Sequence, residues 1–177
     1  MQAYLNHKSA MDPAPSAAAD RDPSSDLSIE SGSCQAEPLY FGSESHSLFG
    51  WLHWPRGVPM ASIGVVICNP FGYEAICAHR AVRAFAEAAA SVGAPALRFD
   101  YLGTGDSEDI DPNSDQLKVW GRNVVDAVTA LRRRTGVARV ALLGFRLGAL
   151  IAALAAAEGA DATALMAVAP ALSGLWR

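Results

Sequence analysis

The sequence predicts an α/β fold, a mostly parallel sheet with helices on both faces. Three observations carry this. Short apolar runs without alternation recur at 63–68, 96–99, 139–143 and 164–169, as expected of strands buried on both sides. Stretches with helical spacing of apolar residues separate them, at 76–90, 114–133 and 147–157. Turn chemistry marks the joins, in Asn69-Pro-Phe-Gly72, in Gly93 with Pro95, and in the glycine-bearing run 100–107. The resulting order is β-β-β-α-β-α-β-α-β, and such alternation implies right-handed crossovers in one sheet.

Taken in order, residues 1–36 are rich in Ala, Pro, Ser and Asp, with Asp12-Pro-Ala-Pro and Asp22-Pro-Ser-Ser breaking any periodicity. That composition buries too little surface to order itself and reads as a disordered tail, leaving 37–177 as the folded part. Order starts near Pro38. Leu39-Tyr-Phe41 and Ser47-Leu-Phe-Gly-Trp-Leu-His-Trp54 carry the aromatic bias of strands, and Gly42-Ser-Glu-Ser between them makes an antiparallel pair. The first helix presents Ala81, Val82, Phe85 and Ala89 as its apolar stripe. The second presents Leu117, Trp120, Val124, Val128 and Leu131, and Arg132-Arg-Arg134 in its last turn complements the negative end of the helix dipole. The last strand, 164–169, ends at Pro170.

Composition narrows the function classes. With 177 residues, 51% of them hydrophobic, the chain can bury a sizeable core. A net charge of −4 without a basic, aromatic-laced patch excludes nucleic acid as the expected partner. The apolar runs fall far short of the roughly 18–20 residues that span a bilayer, and residues 1–10 lack the pattern of a secretion signal, so a cytoplasmic protein is expected. Three cysteines, Cys34, Cys68 and Cys77, show no Cys-x-x-Cys spacing, which argues against a disulfide framework and a zinc site. No cofactor and no metal are expected.

The stretch that organises the chain is Val140-Ala-Leu-Leu-Gly144-Phe-Arg146-Leu-Gly148, a strand, a glycine-flanked sharp turn and a helix start. With Phe99-Asp-Tyr-Leu-Gly-Thr-Gly-Asp-Ser107 and the Asn69-Pro-Phe-Gly turn, it resembles the α/β-hydrolase superfamily, in its serine aminopeptidase and lysophospholipase-like branch. Asn69-Pro-Phe-Gly-Tyr-Glu74 together with Gly144-Phe-Arg-Leu-Gly148 also resembles the hydrolase-like proteins associated with exosortase systems. The resemblance implies an α/β-hydrolase core, ending after the sixth strand, and hydrolysis of esters or amides by a nucleophile at the elbow. It places Arg146 at the nucleophile position and the backbone N–H groups of Phe71 and Leu147 at the oxyanion donors. Gly144 and Gly148 then shape the elbow, while Asp100, Gly103, Gly105 and Ser107 cap and brace the turn after the fourth strand.

Two departures oppose catalysis. Arginine stays protonated and cannot be a nucleophile. The superfamily's acid and histidine follow the elbow in chain order, whereas His7, His46, His53 and His79 all precede it. The resemblance therefore implies an N-terminal part or a truncated product, inactive by itself, or an anion-binding module that has given up chemistry. Arg146 at a helix N-terminus needs a negative partner. Either a small anionic ligand or an internal carboxylate, Glu74 or Asp100, would supply it. The last strand would be an open sheet edge prone to self-association.

Overall fold

The computed structural model describes residues 34–43 and 46–171. The strands are β1 (Cys34–Ser43), β2 (His46–Pro55), β3 (Ile63–Cys68), β4 (Ala96–Phe99), β5 (Arg139–Phe145) and β6 (Ala164–Val168); the helices are α1 (Tyr73–Ser91), α2 (Gln116–Thr135) and α3 (Leu147–Ala157). They form one six-stranded sheet in the order β1-β2-β4-β3-β5-β6. The pairs β3–β4, β3–β5 and β5–β6 are parallel, while β1–β2 and β2–β4 are antiparallel. The expected α/β class, element order and mostly parallel sheet are all present.

Alternation along the buried strands divides the core in two. Val66, Leu97, Phe99, Val140 and Leu142 face α2 and α3, where Val124, Val128, Leu131, Ile151 and Ala155 close over them. Ile67, Ala96, Leu143 and Phe145 face α1 and meet Val82 and Ala86. Helices thus cover both faces, as parallel strands require.

Three local readings need correction. Cys34, Gln35 and Ala36, assigned above to the tail, are strand, paired with Pro55, Trp54 and His53. A polar edge strand carries little periodic signal, and its order comes from its partner. Residues 1–33 lie outside the described residues. The buried face of α1 is Val82, Ala86 and Ala90, whereas Phe85 is exposed at the rim and Ala81 points away. In an alanine-rich helix size does not mark the inner face; small residues take it because the helix packs close to the sheet. The arginine run at the end of α2 does more than complement a dipole. Arg132 binds the Asp161 carboxylate and carbonyl, and Arg134 binds Glu37, which ties the helix to the β6 approach and to β1.

The β6 strand is the sheet edge opposite β1, and every residue in it is exposed, including Leu165 and Met166. The helix α2 is anchored to the turn after β4. Trp120 Nε1 donates to the Leu102 carbonyl at 3.0 Å, and the buried Asn123 Oδ1 accepts from the Leu102 N–H at 3.1 Å. Asn123→Ala strands a buried N–H and should lower stability by about 1–3 kcal/mol in urea unfolding. A loss below about 0.5 kcal/mol would show that water replaces the bond.

Candidate functional site at the C-terminal edge of the sheet

In an open parallel sheet, ligands lie beyond the C-terminal ends of strands whose following connections diverge to opposite faces. Here β3 leads into α1 on one face and β5 leads into α3 on the other, and the two strands are neighbours. The crevice is therefore flanked by the loop 69–72 and by the elbow after β5.

The elbow is built for close approach. A Cβ on Gly148 would collide with the carbonyl oxygens of Cys68 and Asn69, and one on Gly144 would collide with the Ala149 backbone. Between them, Arg146 holds φ 54° and ψ −117° as the residue capping α3, a conformation that a side chain rarely adopts. Its N–H donates to the Val168 carbonyl at 3.0 Å, which pins the turn to the end of β6.

The Arg146 side chain has found an internal partner. Its Nε and Nη2 both lie 3.0 Å from Glu74 Oε1, and Nη1 donates to the Ala169 carbonyl at 3.3 Å. Glu74 sits in the first turn of α1, where a carboxylate is favoured in its own right. Of the two carboxylates considered, Glu74 takes the arginine. Asp100 does not: its Oδ2 accepts the Asp106 N–H at 3.2 Å.

The remaining predicted residues fall around these two turns. Phe71 lies in the loop after β3, its ring centroid 4.9 Å from that of Trp120, and Leu147 opens α3, so its N–H has no acceptor within the helix. Asn69 Nδ2 donates to the Phe99 carbonyl at 2.7 Å and ties that loop to β4. In the run 100–107, Ser107 Oγ donates to the Asp100 carbonyl at 2.6 Å and accepts the Phe49 N–H at 2.9 Å. Gly105 at φ 53° leaves no room for a Cβ beside the Asp100 carboxylate, and Gly103 at φ 76° packs on Ile110. These bonds brace the turn and commit Ser107 to it. Burial raises the Asp100 carboxyl above the usual range.

Solved structures of α/β hydrolases share this architecture. The α/β serine hydrolase XC6422 of Xanthomonas campestris, described as lacking a lid, is 21% identical at TM-score 0.67, over 81% of this chain and 64% of that one. An α/β serine hydrolase homologue of Coxiella burnetii is 23% identical at TM-score 0.57, over 76% of this chain and 62% of that one. Est1E of Butyrivibrio proteoclasticus, solved with ferulic acid, is 25% identical at TM-score 0.62, over 75% of this chain and 53% of that one. The chain has the α/β-hydrolase fold. It spans between about half and two thirds of the length of these hydrolases. No family model matches it, and no curated protein matches it in sequence.

Within the hydrolase fold, a cavity of about 780 Å³ lies beside the elbow rather than on it. The loop 69–72, the start of α1, the turn 100–106 and residues 49–51 of β2 line it, and Arg146 does not. His79 of α1 is exposed on its rim. Arg98, which the sequence reading passed over, lies on its wall and donates from Nε to Nε2 of the fully buried His53 at 3.1 Å. A polar residue at an inward position of an apolar strand was the available signal for His53. Cys34 and Glu87 bring their donor atoms within 4.8 Å of His53 and of each other. This set does not fit a metal as arranged. Nε2 accepts from Arg98, so Nδ1 carries the proton; burial pushes the Cys34 thiol up; and Glu87 is paired with Arg83 at 2.7 Å.

Two expectations follow. Gly148→Ala should destabilise the fold by about 2 kcal/mol or more, because the neighbour is backbone and must shift; an unchanged urea midpoint would show that α3 can slide. Burial first, then Arg98, holds His53 down at about 4 against an ordinary 6.5, with Arg83 adding to this and Glu87 opposing it. The unfolded chain therefore binds this proton first, and acid favours unfolding between those two values. Titrating His53→Gln against the parent should show the parent's relative stability falling by up to about 3 kcal/mol from pH 6.5 to 4. A constant difference would place the proton elsewhere.

Proposed function

We propose that this chain uses the α/β-hydrolase fold to bind a small ligand rather than to hydrolyse one. The observation that carries the reading is the elbow itself: its strained backbone and close-packed glycines are intact, yet the position they project holds Arg146, engaged by Glu74. Among the described residues, neither Cys68 nor Ser107 replaces the nucleophile. The Cys68 thiol is fully buried and pushed up to about 12, so it stays protonated, and Ser107 is spent on the turn. The ligand space on this reading is the cavity beside the elbow. Ester or amide hydrolysis by a longer protein containing this chain would still lack a nucleophile at residue 146.

The narrower resemblance to exosortase-associated hydrolase-like proteins supports the same reading. Glu74 closes the first of the two motifs that carry it and Arg146 is the centre of the second, and the fold joins them in one ion pair. A cytoplasmic location is part of this proposal. Among the described residues no helix is long and apolar enough to cross a membrane.

The test is turnover of p-nitrophenyl acetate and butyrate. The chain, and its Arg146→Ser variant, should release p-nitrophenol no faster than heat-denatured protein, because the variant regains a hydroxyl without a base beside it. Saturable turnover by the parent would overturn the binding reading. Turnover by the variant alone would show that a base within this chain reaches the elbow.

A further inference from the structure

The cavity is lined by Arg80, Arg98, Asp100 and Asp106 as well as by apolar residues. Arg98 is half-buried on the α1 face of β4, opposite Trp51 in the β2–β4 register, and its guanidinium carbon lies 5.6 Å from the Trp51 ring centroid. Among the described residues it makes no ion pair. Its one hydrogen bond goes from Nε to a neutral imidazole. A guanidinium taken half out of water costs free energy that a cation–π contact and a neutral acceptor only partly offset. The nearby carboxylates Asp100 and Glu87 attract Arg98 through space, but neither forms an ion pair with it: Glu87 pairs with Arg83, and Asp100 accepts the Asp106 N–H.

What remains of Arg98 is the pair of terminal NH₂ groups, on a side chain that lines a cavity of about 780 Å³. That volume suits a small molecule. The adjoining wall is aromatic, with Phe49 edge-to-face on Trp51 at 6.0 Å. A planar guanidinium matches a carboxylate through two parallel hydrogen bonds. Asp100 and Asp106 balance Arg80 and Arg98 on this lining, which favours a monoanion over a dianion such as phosphate.

We propose that the cavity is a monocarboxylate site, in which Arg98 binds the carboxylate of a small acid and the aromatic wall takes its apolar body. This deepens the binding reading above and rests on it for the absence of turnover: a site without a nucleophile holds an acid, which has no ester bond to cleave. His53 is a positioning residue here. Its Nε2 occupies the Arg98 Nε–H and so aims the terminal groups at the ligand.

The probes are phenylacetate, its neutral counterpart phenylacetamide, and inorganic phosphate, measured by calorimetry. Phenylacetate should bind, and phenylacetamide should bind at least about ten-fold more weakly to the same unaltered protein. Arg98→Gln should weaken phenylacetate by about ten-fold or more while leaving phenylacetamide unchanged. The amide comparison stands even where that variant folds poorly. Equal binding of acid and amide, no binding of the acid at about 10 mM, roughly ten-fold above a millimolar Kd, or displacement by phosphate at equal concentration would each overturn the proposal. Ester turnover in the preceding assay would instead refute the binding-only reading and leave the acid site to this measurement.

Discussion

The contact between Gly148 and the carbonyls of Cys68 and Asn69 sets the geometry on which the rest of the crevice depends. It lets the first turn of α3 rest on the end of β3, with no side chain between them. The helix start and the loop after β3 are thereby held against each other, and the loop is fixed from its other side by Asn69 and by the stacking of Phe71 on Trp120. Gly144 does the same one turn earlier, where the strand passes under Ala149. Neither contact is strong as an attraction. Their effect is steric permission, and it allows two backbones to approach more closely than any residue with a Cβ would.

Electrostatics at the elbow are modest by comparison. Arg146 and Glu74 are each about half exposed, at 47% and 48%, so their pair is worth at most about 1 kcal/mol. That offsets the penalty of a cation at the positive end of α3 without adding to stability. The turn is held by its backbone, through the Arg146 N–H on β6 and the Ala149 N–H on the Arg146 carbonyl. An arginine here is accommodated by the fold, which does not need it.

The central strands were readable because short apolar runs bounded by Gly, Pro and Asn leave one interpretation; β3 and β4 begin and end where the sequence places them. The elbow was readable for a different reason, since two glycines flanking one residue after a strand encode a steric need directly. What escaped was information held between segments. The strand at Cys34–Ala36 owes its order to β2, and the inner face of α1 is set by how closely that helix approaches the sheet. Glu74 and Asp100 were equally open as partners of Arg146 until the turns were placed in space. The coupling of Arg98 to His53 arises from a β2–β4 register that no local pattern states. Folds are written in periodicities, while sites are written in the juxtapositions those periodicities produce.

The backbone at Arg146 has one more consequence. Because its dihedral angles are fixed by flanking glycines and by a bond to β6, whatever residue stands there starts from the same Cα and the same Cα–Cβ direction. The turn is a mount, indifferent to what is fastened to it. For protein engineering this makes residue 146 a rigid display point at the mouth of a crevice, where side chains of very different chemistry could be exchanged without redesigning the support beneath them.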